Sequence, residues 1–294
     1  DSRADVMPGP TRFWAMPLGA GASLNARSSF GTQAEARIGG FMTGFDHAMS
    51  SRLTLGMVGG WTETDSETGG LVRSNQLQGA HLGSYALWRD GPFYMSGTLG
   101  YARHVGRQAR LIEAPGLTEA ANADIAFHTA AAQMEMGWRF QDEEGGVALT
   151  PFAGVGLRGW AQDSMREASR GLAGQAGMLG LTQDAQSGLS VPLSLGVRLD
   201  GSFMLGEGML MMPWLRAAWV HESEGTVGGS AGFALAPDET FSLGQPRVAR
   251  DRLAVQAGVQ LMPHARLGFG VGLLGDFASG ASAVGGFGRV VWRW

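Results

Sequence analysis

Apolar and polar residues alternate with period two along most of this chain. The cleanest case is Leu189–Leu199, where Leu189, Val191, Leu193, Leu195, Val197 and Leu199 face Ser190, Ser194, Arg198 and Asp200. Period two sends successive side chains to opposite faces of an extended backbone, so each such run predicts a β-strand. The same pattern runs through Ile125–Phe140, Val147–Trp160 and Arg252–Leu261. It also marks Phe13–Leu24, Ala34–Phe45, Arg52–Trp61, Leu77–Trp88, Phe93–Arg103, Met209–Val220 and Arg266–Leu274. The last run, Ala283–Trp294, puts Trp294, Trp292 and Val290 on one face and Arg293, Arg289 and Phe287 on the other. The total is about twelve strands. Pro151 and Pro213 fall inside two of them and remove ladder donors there.

The connections alternate between short and long. Arg89–Pro92 is a tight hairpin turn, as are the turn QDEEGG before Val147 and the turn MPHA before Arg266. The polar stretches Thr62–Gln76 and Gly106–Asp124 predict long loops, as do the stretches ending near Ser187 and Ala249. Residues 1–10, DSRADVMPGP, read as a linker remnant ahead of one domain spanning 11–294. Strands of about 9–12 residues fit a tilted crossing of the hydrocarbon layer. Short turns on one side and long loops on the other are the pattern of an outer-membrane barrel. Closure leaves no bare sheet edge, which lipid demands because it offers the backbone no hydrogen-bond partner. The fold class predicted is therefore all-β: a transmembrane antiparallel up-and-down β-barrel. Apolar faces then meet lipid, and the opposite faces line the lumen with Glu35, Arg37, Glu135, Arg139, Arg198, Arg216 and Arg252.

Composition narrows the picture further. Charged residues make up only 16% of the chain, glycine is abundant at 48 residues, and there is no glycine triplet period. Every basic residue is arginine, whose permanent charge and forked donors suit a lumen network. No cysteine is present, which excludes disulfides, thiolate metal sites and cysteine nucleophiles. No apolar run is long enough for a transmembrane helix. The net charge of −4 gives no case for nucleic-acid binding. Asp1 opens without a signal peptide, so the sequence reads as a mature or excised fragment.

Motifs for catalysis fail on context. Gly228–Gly232 spells GxSxG, but a nucleophile elbow needs a preceding strand and a following helix. Gly270–Gly275 spells GxGxxG, but no helix and no acidic residue at the right distance follow it. The six histidines show no metal-ligand spacing, and Asp142–Glu144 reads as a solvated acidic turn. No catalytic residue, cofactor or metal is predicted.

Six blocks, taken in order, resemble the C-terminal translocator domain of a type Va bacterial autotransporter. They are FWAMPLGAG, IGGFMTGFDHAMSSRLTLGMVGGW, LGSYALWRDGPFYMSGTLGYAR, LTPFAGVGLRGW, PWLRAAWVHE and ARDRLAVQAGVQL. The resemblance spans about residues 11–294 and implies a twelve-stranded outer-membrane barrel of a Gram-negative bacterium, embedded in lipid and acting as a monomer. It implies insertion by the barrel-assembly machinery, which reads the last strand; Phe287, Trp292 and Trp294 are the candidate signal residues. Arg289 stands where the family pattern has glycine. It also implies export of an N-terminal passenger and a helix threading the lumen, both expected outside this chain. The alternatives are a stand-alone outer-membrane barrel, either a small porin or a barrel hydrolase, and a soluble all-β adhesin.

Overall fold

A computed structural model describes residues 11–25, 33–69, 73–141, 146–206, 208–223, 229–243 and 249–294. The proposed linker 1–10, Gly228 of the GxSxG motif and the acidic turn Asp142–Glu144 lie outside the described residues. Twelve strands form the wall. They are β1 Thr11–Asn25, β2 Gln33–Ala48, β3 Leu53–Thr68, β4 Arg73–Asp90, β5 Phe93–Ala114 and β6 Leu117–Trp138. Then come β7 Val147–Gln162, β8 (Gln186–Ser190 continued by Pro192–Gly201), β9 Met209–Glu222, β10 Asp251–His264, β11 Leu267–Ala278 and β12 Ala281–Arg293. Each pairs antiparallel with its sequence neighbours, and β12 pairs with β1, which closes the sheet. At that seam the ladder runs from Arg12 to Ala15 and resumes at Leu18; Pro17, which has no N–H, sits in the gap.

The burial pattern is inverted relative to a soluble protein. Leu82, Leu99, Leu273 and Val271 each expose more than half their surface, and they all point outward. The small core instead lies on the inner wall, where Phe152, Ala218, Val220 and Ala254 pack with Tyr94. A continuous apolar outer belt has nothing to cover it but lipid. Aromatic side chains mark the belt's inner margin. Phe13 lies opposite both Phe45 and Trp292, and Trp88, Phe93 and Trp138 stack edge-on at 5.8 and 6.3 Å.

Three expectations are corrected here. Gly106–Asp124 is not a loop: β5 and β6 run through it to a two-residue turn, where Gly116 takes φ 78°. The strands of Thr62–Gln76 likewise continue to Thr68 and restart at Arg73. Above the lipid belt both faces of a strand meet water, so its alternation of apolar and polar residues disappears while its pairing continues. Link lengths therefore do not alternate strictly, since Ser279-Gly280 is also a tight turn on the loop side. The stretches ending near Ser187 and Ala249 contain short strands of their own. Met165–Arg166, Leu181–Gln183, Gly229–Phe233 and Ala236–Leu243 form a separate four-stranded sheet. The chain between Gly229 and Leu243 thus gives strand followed by strand, not the strand-to-helix turn of a nucleophile elbow. Gly270–Gly275 lies within β11.

Candidate functional site

The candidate site is the lumen. Six aromatic side chains lie on its wall, each directly opposite a glycine on the neighbouring strand. The pairs are Trp14 with Gly44, Tyr85 with Gly56, Tyr94 with Gly137, Phe152 with Gly196, Trp214 with Gly258 and Phe287 with Gly272. A Cβ at any of these glycines would lie within 2.9 Å of the facing ring. Each pair joins the two strands of one hairpin on the loop side, so every strand takes part once. The rings cover backbone that a larger residue would have covered, and glycine is what lets them lie flat.

Charged groups are threaded among these rings. Asp46, fully buried, takes Arg12 at 2.6 Å and the Tyr85 hydroxyl at 2.7 Å, and that hydroxyl accepts from Trp14 Nε1 at 2.9 Å. Glu135 takes the Tyr94 hydroxyl at 2.7 Å and Arg216 at 2.5 Å, and the Arg216 guanidinium lies 4.2 Å over the Phe152 ring. Asp200 takes Arg139 at 2.6 Å and Arg198 at 3.3 Å. In the outer half, Arg252 pairs with Asp276 and with Glu222, and Glu222 also takes Arg158 at 3.0 Å. This outer group borders a cavity of about 990 Å³, lined also by small residues such as Ala22, Ala36 and Ser66 and by Trp160 and Phe277. A histidine pair, His81 and His104, sits edge-on at 5.4 Å, and Thr62 holds the His81 ring at 2.8 Å.

At the outer mouth, beyond the lipid belt, the segment 163–185 packs on the inner face of the β5–β6 hairpin. Arg110 reaches both oxygens of Glu167, at 2.5 and 3.2 Å, and Gln108 donates to the same carboxylate. The Glu119 carboxylate accepts from the backbone N–H groups of Met178 and Leu179. Those donors hold its pKa below the ordinary glutamate value. Sequence reasoning missed this cluster because its partners are brought together across about 60 residues.

The structure places Glu135, Arg139, Arg198, Arg216 and Arg252 on the inner wall, in the pairs just described. Glu35 and Arg37 are different: they share the exposed outer face of β2 with Phe41 and Phe45. Register confirms this, since Arg37 stands opposite Asp65, and Phe41 opposite Trp61. The pair lies above the lipid belt, where a charged outer face costs little. Of the last-strand residues, Phe287 points inward onto Gly272, and Trp292 points outward beside Phe13. Trp294 donates its backbone N–H to the Thr11 carbonyl at 3.2 Å.

A closed sheet with an apolar exterior, an aromatic margin and a wet, ion-paired interior defines an outer-membrane β-barrel. Residues 13–273 match the Autotransporter beta-domain family, and the chain belongs to that family. It is thus a barrel of the Gram-negative outer membrane. It is 29% identical over 208 residues to the probable autotransporter YpjA of Escherichia coli (strain K12). That alignment covers 67% of this chain and 12% of the relative, so the chain matches only a small part of that protein's length. Its fold resembles the translocator domain of autotransporter NalP from Neisseria meningitidis, with a TM-score of 0.75, 14% identity, 99% of this chain and 90% of that one. It also resembles the β-domain of the Bordetella autotransporter BrkA, with a TM-score of 0.68, 18% identity, 97% of this chain and 100% of that one.

Proposed function

We propose that this barrel carries a passenger segment, encoded ahead of residue 1, across the outer membrane and anchors it at the cell surface. Membership of the autotransporter family supports the reading. The observation that carries it is the strand count: with twelve strands, β1 starts and β12 ends at the same, short-turn end of the barrel. A passenger joined ahead of β1 therefore has a route to the outside only through the lumen, and its wall is polar along that route. The barrel acts as a monomer and does no covalent chemistry. The barrel-assembly machinery inserts it by reading the last strand, with Phe287, Trp292 and Trp294 as the signal. Glu135, Arg139, Arg198, Arg216 and Arg252 serve as the lining that the passing segment meets.

An epitope fused ahead of Asp1 behind a secretion signal, expressed in Gram-negative cells, tests this. Protease added to intact cells should remove the epitope and leave the folded barrel behind. An epitope protected until the outer membrane is opened, in cells whose barrel is folded, would overturn the proposal.

A further inference from the structure

Among the described residues, the inner half of the lumen carries more arginines than carboxylates. Among the described residues its three carboxylates already stand in ion pairs: Asp46 with Arg12, Glu135 with Arg216, and Asp200 with Arg139 and Arg198. Among the described residues, Arg89, Arg289 and Arg293 have no carboxylate within ion-pair reach. Arg289 lies 5.2 Å over the Trp14 ring, and Arg293 meets the Met262 sulfur at 3.3 Å. The Nε atoms of both are buried with no partner. Arg89 lies in the combined field of Arg12, Arg139, Arg198 and the single carboxylate of Asp200, while Arg289 and Arg293 share the field of Arg12 and the single carboxylate of Asp46. Arginine cannot shed its proton to relieve this crowding. The outer half is balanced by contrast, with Arg158 and Arg252 set against Glu222 and Asp276.

A narrow wet passage with unpaired guanidiniums on a low-dielectric wall concentrates counter-ions, and rings of arginine select anions in pores. The wall is wet here, since Arg198 keeps half its side-chain surface exposed. We propose that the inner half of the lumen is an anion-binding, anion-selective passage for small inorganic anions. The proposal rests on the barrel fold and not on passenger export, so each can fail without the other.

The test uses the 294-residue chain refolded in detergent, checked for a heat-dependent shift on a gel, and inserted into planar bilayers under a potassium chloride gradient. Chloride should permeate about three-fold or more in excess of potassium. The ratio should fall toward one in the Arg89→Gln/Arg293→Gln variant. If that variant does not fold, Arg89→Gln alone should lower the ratio part of the way. A folded wild-type barrel that prefers potassium, shows no preference or does not conduct would overturn the proposal. So would variants that keep the full chloride preference.

Discussion

Adding one methyl group at Gly56 should destabilise the barrel well beyond its size. The Cβ of Gly56→Ala would stand 2.3 Å from Tyr85 Cζ, with Cε2 at 2.5 Å and Cε1 at 2.7 Å. Ordinary contact begins near 3.4 Å, so the ring must move by about 1 Å. Tyr85 cannot move freely, because its hydroxyl donates to Asp46 at 2.7 Å and accepts from Trp14 at 2.9 Å. Overpacking of this kind costs about 1–3 kcal/mol. Losing a hydrogen bond to a charged acceptor costs about 1.5–3 kcal/mol. Replacing glycine within a strand returns about 0.5–1 kcal/mol through chain entropy. The net expectation is a loss of about 1.5–5.5 kcal/mol. The assay is the fraction of heat-modifiable barrel remaining across a urea series in detergent. Gly59→Ala, on the outer face of the same strand, is the comparison: its Cβ meets nothing closer than the His81 carbonyl at 3.7 Å, so it should be neutral or slightly stabilising. If Gly56→Ala and Gly59→Ala unfold at the same urea concentration, the aromatic–glycine pairs do not hold the hairpins together.

Other parts of the lumen give further tests. Arg216→Ala strands the Glu135 carboxylate with only the Tyr94 hydroxyl and uncovers Phe152, and should cost about 2 kcal/mol in the same urea assay. Phe287→Ala should lose about 3 kcal/mol by baring Gly272, and Trp292→Ala, on the lipid side, should lose less; equal losses would contradict the inward placement of Phe287. The Glu119 carboxylate titrates below the usual 4.5 in the folded protein, so its support of segment 163–185 is complete above that pH and is lost as pH falls through the lower, native value. Limited proteolysis within 163–185 should therefore increase in acid for the wild type, and Glu119→Gln should be cut readily at neutral pH with a weaker pH response.

The wall of the barrel was legible from sequence because lipid imposes one rule on every residue of an outer face. Leu189–Leu199 and Arg252–Leu261 could be assigned to faces without any knowledge of their neighbours, and the structure keeps those faces. The rule stops at the lipid boundary, and the errors begin there. On β2 the parity that carries Phe41 and Phe45 also carries Glu35 and Arg37, and reading charge alone sent that pair inward. The β5–β6 hairpin past Gly106 lost its alternation for the same reason, although Pro115-Gly116 was a visible turn signal. The aromatic–glycine pairs could not be read at all. Tyr85 and Gly56 each look unremarkable in sequence; only the register of β3 against β4 sets one on the other. The latch of Arg110, Glu119 and Glu167 is likewise a product of register and of a loop folding back.

Because the chain has no cysteine, single cysteines can report the face of every position directly. The most direct test of the barrel places them one at a time at Leu193, Ser194, Leu195, Val197 and Arg198 in the folded protein in lipid vesicles, and measures labelling by a charged, water-soluble maleimide. Labelling should follow the parity, with Ser194→Cys and Arg198→Cys reacting from the lumen and Leu193→Cys, Leu195→Cys and Val197→Cys protected by lipid. Uniform labelling at all five positions, or labelling with the opposite parity, would contradict a membrane-spanning barrel with a wet interior.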